Sequence, residues 1–176
     1  MTDFRTELLA RFRWVGGHAN VLALFGDGAF LAAAGRALAE PFEDAGFTKV
    51  AAVEARGFVL GTAVAVVAGV GFVPIRKAGA VHPGPKAMRT TEPDWRGRRH
   101  ELVVQREALD EADRALLVDD WAEVGSQAIA ARSLIEECGA AYVGLSLLVD
   151  QLSDDMRERL EPVAAVVSHA ELPPSA

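Results

Sequence analysis

From Lys49 onward, short apolar segments alternate with segments of helical character, and this alternation is the strongest constraint on the fold. Strands are predicted at 49–54, 71–76, 101–105, 115–119, 143–149 and 163–167, with helices at 57–68, 126–138 and 153–160. Strand–helix alternation of this kind predicts an α/β fold with a mainly parallel sheet flanked by helices on both faces. Ligands bind such sheets at the carboxyl ends of the strands, so functional residues are expected at that edge.

The first 47 residues follow a different pattern, without strands. Phe4, Leu8 and Phe12 recur at helical spacing, and a second apolar helix is predicted at about 30–38. A chain of 176 residues is long enough for one domain with a modest appendage. We therefore predict a single domain, 1–176, in which 1–47 carries the N-terminal helices and 48–170 forms the core. Only the tail, 172–176, is expected to be disordered.

Composition narrows the classes of partner. The net charge of −7 argues against non-specific binding to nucleic acid, so an anionic ligand would need a local basic site. The single cysteine, Cys138, rules out an internal disulfide and fits the reducing cytoplasm. No apolar run reaches the roughly 20 residues of a membrane span, and the first residues lack the layout of a signal peptide. We expect a cytoplasmic protein that binds neither nucleic acid nor membrane.

The segment 115–127 is the most informative part of the chain for function. A wholly apolar strand ends in Asp119 and Asp120, and a turn through Gly125 then leads into a helix that begins at Ser126. Free amides at a helix start favour a phosphate, and glycine lets the backbone approach it closely. The carboxylates would repel that phosphate unless they hold sugar hydroxyls or hydrated magnesium. A ribose 5-phosphate with a magnesium-bound pyrophosphate would satisfy both groups, although an ordinary strand–loop–helix turn with solvated acids explains this segment equally well.

Further blocks of sequence decide between these two interpretations. The segment 115–127 resembles the phosphoribosyl-pyrophosphate signature of type I phosphoribosyltransferases, in which two acids precede a Thr-Gly-Gly-Thr-like loop. The segments 53–58 and 71–77 closely resemble blocks of adenine phosphoribosyltransferases. Pro83-Gly84-Pro85 falls where those enzymes begin their flexible catalytic loop. The resemblance covers about 45–150 in consistent order, and it implies a type I core, a mobile loop at 79–99 and a hood built mainly from 1–47.

The resemblance also implies a role for each matching residue. The acids Asp119 and Asp120 would act in catalysis by holding the ribose hydroxyls and water-bridged Mg²⁺. The loop after them would bind the 5-phosphate, a second loop would bind the pyrophosphate, and two cations would neutralise that leaving group. These three sets are Glu123, Val124, Gly125, Ser126 and Gln127; then Ala55, Arg56 and Gly57; then Arg76 and Lys77.

Two departures from the family pattern concern the loops. Val124 replaces a threonine and so removes a hydroxyl donor from the phosphate loop, although Ser126 can replace part of its contribution. The Glu-Tyr-Gly of the family's mobile loop, whose glutamate is thought to act near the base, corresponds most closely to Trp95-Arg96-Gly97. Glu92 is our candidate for the missing catalytic carboxylate, and Asp94 is close enough in sequence to take its place.

Two further departures concern the base. The family's Phe-Arg-Asp is Phe25-Gly26-Asp27 here, which removes an arginine from the hood. Trp121 replaces a small aliphatic residue directly after the acids, where it can either stack on the base or fill the core. Phe25, Gly26 and Trp121 are therefore our candidate base-binding residues. We predict from these changes that adenine is not the preferred base.

The resemblance implies an enzyme of purine salvage, with magnesium as cofactor and a homodimer as its assembly. It would transfer the 5-phosphoribosyl group from phosphoribosyl pyrophosphate to a purine or purine-like base and release pyrophosphate. A regulatory protein that only binds phosphoribosyl pyrophosphate is the alternative, favoured by Val124 and by the missing loop glutamate. Another alternative within the enzyme class is a different heterocyclic base. The histidines His18, His82, His100 and His169 lack the spacing of zinc ligands, so structural zinc is not expected.

Overall fold

The computed structural model describes residues 3–79 and 83–174. Within these residues the strands are β1 (Trp14–Val15), β2 (His18–Ala19), β3 (Lys49–Val53), β4 (Gly71–Lys77), β5 (Lys86–Thr90), β6 (Glu101–Gln105), β7 (Arg114–Ala122), β8 (Ala141–Asp150) and β9 (Val163–Ser168). The helices are α1 (Phe4–Arg11), α2 (Val21–Leu24), α3 (Gly28–Ala39), α4 (Arg56–Ala68), α5 (Ser126–Glu137) and α6 (Asp154–Leu160). None of these helices is both long and apolar enough to cross a membrane.

Seven strands form one mixed sheet in the order β5-β6-β4-β3-β7-β8-β9. The five strands from β4 to β9 in this order are parallel, whereas β6 runs antiparallel to β4 and β5 antiparallel to β6. The predicted α/β fold with a mainly parallel sheet is therefore confirmed. The small hairpin β1–β2 stands apart from this sheet.

Helices cover both faces of the sheet. On one face, Phe30 and Leu38 of α3 and Leu60 of α4 pack with Leu116 and Val118 of β7. On the other face, the side chains of α5 and α6 pack with the alternate residues of β7 and β8. Because successive side chains of a strand point to opposite faces, one apolar strand such as β7 contributes to both cores.

The N-terminal segment is more closely joined to the core than the predicted hood suggests. Leu8 of α1 and Phe12, which directly follows this helix, are fully buried in the same apolar cluster as the sheet, and α3 packs against β8 and β9. Gly35 of α3 lies so close to α4 that a Cβ would sit 2.9 Å from the carbonyl oxygen of Ala63. The boundary at residue 47 between hood and core stays a prediction.

The segment predicted as one long mobile loop, 79–99, contains a strand, so that prediction is wrong for β5. This strand pairs along its whole length with β6, and Ala87 is buried between the hairpin and α5. The prolines at 83 and 85 and the charges of β5 conceal its alternation in the sequence. Residues 80–82, with His82, lie outside the described residues.

The tail is also better packed than predicted. Leu172 is only 8% exposed, and the carbonyl oxygen of Pro173 accepts a hydrogen bond from Trp14 Nε1 at 2.7 Å. The prediction of disorder is therefore wrong for 172–173. Residues 175–176 lie outside the described residues.

Candidate active site

A cleft that opens to solvent lies at the carboxyl ends of β3 and β7. Its walls come from five segments: the end of β3 with Arg56 at the start of α4, the end of β7, the loop from β7 into α5, Leu145 and Leu147 of β8, and a turn at Asp94–Trp95. The cleft therefore lies at the carboxyl edge of the sheet, where functional groups were expected from the sequence. Asp119, Trp121 and the phosphate-loop residues 123–127 all line this cleft.

The two acids at the end of β7 are the most constrained polar groups of the cleft. The side chain of Asp120 is 4% exposed, and its Oδ2 lies 3.1 Å from Arg56 Nε. That contact is an ion pair without the alignment of a hydrogen bond, so this buried oxygen has no hydrogen-bond partner in the described protein. Asp119 uses Oδ1 to accept a hydrogen bond from the backbone amide of Asp120 at 2.9 Å. Of the two, Asp119 lines the cleft, whereas the unpaired Oδ2 of Asp120 is buried beside Arg56, which does line it.

Burial disfavours the charged form of these two carboxyl groups. It raises the pKa of Asp119 well above its ordinary value, and the adjacent charge of Asp120 raises it further, while Arg56 only partly opposes them. Burial also raises the pKa of Asp120, but less, because Arg56 and the hydrogen bond with Asp119 lower it. Two charged carboxylates are costly here without a positive or proton-donating ligand.

The loop from β7 to α5 is shaped for close approach of an anion to the backbone. Gly125 has φ 68°, and a Cβ there would lie 2.9 Å from Met156 Sδ and 3.0 Å from Leu152 Cδ2. The first hydrogen bond of α5 runs from the amide of Ile129 to the carbonyl of Gly125. The amides of 126–128 are therefore not used by the helix itself. A helix start with free amides in an open cleft has the geometry that favours an anion, and binding of the 5-phosphate here stays a prediction.

The start of α4 forms the opposite side of the cleft. The Glu54–Ala55 peptide bond before it is cis. A Cβ on Gly57 would lie 3.0 Å from Asp119 Oδ1, so only glycine lets α4 begin this close to the acids. Arg56 reaches the cleft from here, and its side chain remains 42% exposed while it pairs with Asp120.

Arg76 and Lys77 are placed differently from Arg56. Both end β4, the strand beside β3, and both are partly exposed. Arg76 Nε lies 3.3 Å from Glu54 Oε2 and so is tied to the segment that precedes the cis peptide. Neither residue lines the cleft itself, so a contact with pyrophosphate stays a prediction for both.

Trp121 lies at the border between the cleft and the packed interior, and stacking on a base stays a prediction. Its indole lines the cleft, and its Nε1 donates a hydrogen bond to Gln151 Oε1 at 2.9 Å. The ring also belongs to an aromatic cluster, with centroids 5.6 Å from His169, 6.0 Å from Trp14 and 6.4 Å from Phe12. The cluster holds the indole in place, and the cleft leaves part of it accessible.

Ala55, Gly57 and Asp120 adjoin lining residues in sequence but do not line the cleft themselves, and three further predicted residues, Phe25, Gly26 and Glu92, also lie outside its lining. Phe25 ends α2 and packs against the core, and Gly26 follows it in an exposed turn. Glu92 is exposed, and its nearest cation is Arg159 at 3.7 Å. The structure does not bring these three residues together with the acids, so their roles stay predictions.

Two residues of the turn after β5 line the cleft: Asp94, which the sequence offered as an alternative to Glu92, and Trp95, which was not among the predicted site residues. Trp95 is 60% exposed although it is the largest apolar side chain of its loop. A tryptophan in a segment rich in glycine, proline and charge was the signal that could have identified it. The carboxylate of Asp94 accepts hydrogen bonds from the amides of Arg96 and Arg98, which together with His100 lower its pKa.

Comparison with known proteins supports the function that the geometry of the site indicates. No protein-family model matches the chain. The adenine phosphoribosyltransferase of Streptomyces coelicolor is 40% identical over 172 residues, which cover 93% of this chain and 92% of that protein. The enzyme of the same name from Maricaulis maris is 36% identical over 85% of this chain and 83% of its own. Among solved structures, adenine phosphoribosyltransferase from Rhodothermus marinus matches with a TM-score of 0.81 at 29% identity and covers 94% of this chain and 98% of its own.

These similarities extend beyond the motif blocks to nearly the whole chain, and the relatives carry the name of an enzyme rather than of a regulator. They confirm the family that the motifs indicated and weigh against the regulatory alternative. The chain belongs to the adenine phosphoribosyltransferase family of type I phosphoribosyltransferases.

Proposed function

We propose that this protein transfers the 5-phosphoribosyl group of phosphoribosyl pyrophosphate to a ring nitrogen of a purine or purine-like base. The observation that carries the proposal is one cleft whose lining joins a helix start suited to phosphate, the carboxylate of Asp119 and Arg56, with the buried Asp120 paired to that arginine. This arrangement matches the 5-phosphate, ribose hydroxyls and pyrophosphate of one ligand, in that order. The single domain with a hood at 1–47 and a core at 48–170 belongs to the same proposal.

In the proposed complex the amides of 126–128 and the Ser126 hydroxyl bind the 5-phosphate. The free oxygens of Asp119 and Asp120 accept hydrogen bonds from the ribose hydroxyls. These hydroxyls are neutral donors, so they add no charge beside the carboxylates. Arg56 lies on the same side as Asp120 and would turn to the pyrophosphate when the ligand enters. Arg56 can turn from Asp120 to pyrophosphate because its own side chain is 42% exposed, and the ribose hydroxyls then supply hydrogen bonds to the buried carboxylate.

The donor set also fits magnesium, provided that the substrate brings part of the coordination. Within residues 3–79 and 83–174, no group of three or more His, Cys, Asp or Glu side chains could hold a metal ion. The acid pair offers carboxylate oxygens, of which Asp120 Oδ2 lacks a hydrogen-bond partner among the described residues. Magnesium bound with the pyrophosphate would withdraw negative charge from the leaving group.

The chemical step breaks the bond between C1 of the ribose and the pyrophosphate oxygen and forms the bond from C1 to the base nitrogen. The proton of that nitrogen leaves to the departing pyrophosphate or to water. The ribosyl centre resembles an oxocarbenium ion in between, as in glycoside cleavage. The protein contributes by holding both reactants in line and by stabilising the departing charge through Arg56. Asp94 is a poor proton acceptor here because hydrogen bonds lower its pKa and occupy both oxygens.

The direct test is release of pyrophosphate from phosphoribosyl pyrophosphate and magnesium in the presence of a panel of free bases. We expect one pyrophosphate and one nucleoside 5′-monophosphate per turnover with at least one purine-type base. Tight binding of phosphoribosyl pyrophosphate without turnover on any base would favour the regulatory alternative instead.

We further propose a cytoplasmic homodimer that uses the apolar groove between α3 and α4. Leu31, Phe58, Val66 and Val67 line this groove, and Val66 is 74% exposed. An exposed apolar groove of this kind is more stable when a second apolar surface covers it. Light scattering should give twice the mass of the chain, and Val66→Glu should shift the protein toward the monomer.

A further inference from the structure

The cleft carries an exposed indole that none of the proposed roles uses. Trp95 lines the same cleft as Asp119 and Trp121, and it is 60% exposed. Burying an indole would stabilise the fold, so a large exposed ring in a concave site indicates a surface kept for a ligand.

The turn that presents Trp95 is held by a network of hydrogen bonds. Asp94 Oδ1 accepts from the amides of Arg96 at 2.9 Å and Arg98 at 2.8 Å, and the amide of Asp94 donates to the carbonyl of Arg98 at 2.8 Å. Asp94 Oδ2 lies 3.1 Å from His100 Nε2. These contacts fix the backbone on both sides of the indole, so the ring is presented from an ordered turn.

The base of this turn is anchored to the sheet. Thr91 is 1% exposed, its amide donates to the carbonyl of His100, and its hydroxyl accepts from the amide of His100 at 3.0 Å. These bonds continue the ladder of the β5–β6 hairpin beyond its last paired residues. The position of Trp95 therefore follows from the sheet.

The environment of the ring leaves it available for stacking. The guanidinium carbon of Arg96 lies 4.3 Å from the centre of the Trp95 ring. A cation over one face of an indole orients the ring, and the opposite face remains free for a planar partner.

We propose that Trp95 is a specificity-determining residue that stacks on the heterocyclic base bound in this cleft. The inference rests on the proposed function and deepens it, because it names the part of the substrate that this side chain contacts. The ligand class is a planar aromatic heterocycle attached, or about to be attached, to the phosphoribosyl group. The base would then have an indole on the loop side, Trp95, and another on the sheet side, Trp121.

The test compares ligands that differ only in the base. Calorimetry would measure the affinities of AMP, IMP and GMP and that of ribose 5-phosphate, for the wild type, Trp95→Ala and Trp95→Phe. Met88→Ala is the matched control, since Met88 is an exposed apolar residue of the same hairpin, 45% exposed and outside the cleft. Ribose 5-phosphate serves as the check on folding and on the phosphate site.

We expect Trp95→Ala to weaken the best-bound nucleotide by roughly tenfold, the upper range for loss of an aromatic stack. Its affinity for ribose 5-phosphate should stay within about twofold of the wild type. Trp95→Phe should restore most of the loss, and Met88→Ala should change neither ligand. Equal affinities of Trp95→Ala and wild type for every nucleotide would overturn the inference, as would equal losses for nucleotide and ribose 5-phosphate. Failure of the wild type to bind ribose 5-phosphate would instead refute the proposed function and, with it, this inference.

Discussion

The two sides of the cleft are built in different ways. On the phosphoribosyl side, the groups that would bind the ligand are backbone amides and two aspartates, and two glycines permit close packing around them. Gly125 packs against α6, and Gly57 packs against Asp119. On the base side, the surface consists of large side chains, Trp121 and Trp95, and one of them is well exposed. The first side resembles the family motif closely, whereas the departures from it concentrate on the second.

This difference follows from what each side has to recognise. A phosphate is bound by backbone geometry that a single Cβ would destroy, so the acceptable sequences are few. A planar base is recognised by side chains that can be exchanged without refolding the loop, so specificity can change there at little cost to the fold. The comparison predicts large losses on the phosphoribosyl side and selective changes on the base side.

The largest expected effect comes from the acid pair. Replacing both Asp119 and Asp120 by asparagine should remove most of the magnesium-dependent affinity for phosphoribosyl pyrophosphate, by about 100-fold or more, because several hydrogen bonds to charged acceptors are lost. Calorimetry with and without magnesium measures the effect. Asp44→Asn, at an exposed carboxylate, is the matched control and should bind as the wild type does. Unchanged affinity of the double variant would remove the acids from the site.

Gly125→Ala should give the next largest effect. Both Gly125, φ 68°, and Gly69, φ 69°, have left-handed backbones, but only at Gly125 would a Cβ meet Met156 and Leu152, and at Gly69 nothing lies within 4 Å. Gly69→Ala therefore isolates the cost of the backbone conformation, about 1–2 kcal/mol. Gly125→Ala should be less stable than this control in urea and should also lose affinity for ribose 5-phosphate. Equal stability and binding of the two variants would contradict the packing described for the phosphate loop.

Arg56→Ala should weaken binding of the pyrophosphate group more than binding of the 5-phosphate group. We expect pyrophosphate to bind about tenfold or more weakly, since a charged hydrogen bond contributes roughly 1.5–3 kcal/mol, whereas ribose 5-phosphate should lose much less. Inhibition constants of the two ligands give the ratio, and Arg36→Ala, at an exposed arginine on α3, provides the control. Similar losses of affinity for both ligands would contradict a specific contact between Arg56 and pyrophosphate.

Asp119→Asn should stabilise the ligand-free protein in a pH-dependent way. Because the pKa of Asp119 is raised in the folded protein, the folded state binds more protons than the unfolded state between about pH 4 and the raised value, and stability falls as pH rises. Asparagine does not ionise, so Asp119→Asn removes this fall of stability with rising pH. The midpoint of thermal unfolding should rise by about 2–4 °C at pH 8 and by less at pH 4. A gain of the same size at both pH values would contradict the raised pKa.

Trp121→Leu should give the smallest but most selective effect. The leucine removes one aromatic face of the base site and the hydrogen bond to Gln151, so the ranking of bases by kcat/KM should change. Affinity for phosphoribosyl pyrophosphate should stay within about threefold. Gln151→Leu is the informative companion, since it frees the indole without removing it, and should shift the ranking in the same direction but less. An unchanged ranking would make Trp121 core packing only.

How far the sequence predicts this molecule depends on whether the relevant contacts are local. The acids 119–120, Gly125 and Ser126 lie within eight residues, so one strand–loop–helix pattern predicts their arrangement. The parallel strands are likewise visible as apolar runs. The strand β5 escaped prediction because its partner β6 lies beyond a turn and its own residues are mostly polar.

The base side was less predictable because its contacts join distant segments. Trp121 bonds to Gln151 and packs near Trp14 and His169, and no periodicity brings these residues together in advance. Trp95 is placed by the hairpin and by Asp94, and both depend on the β5–β6 register. The candidates Phe25 and Gly26 were assigned by resemblance, and in this structure they lie outside the lining of the cleft.

Steady-state kinetics with a panel of bases tests the central claim most directly. With saturating magnesium, the KM for phosphoribosyl pyrophosphate and kcat/KM for adenine, hypoxanthine, guanine and other purine-type bases would be measured by pyrophosphate release. The account predicts turnover with a similar KM for phosphoribosyl pyrophosphate throughout, a wide spread of kcat/KM among bases, and a base other than adenine at the top. Adenine as the best base, or no turnover with any base despite tight binding of phosphoribosyl pyrophosphate, would contradict it.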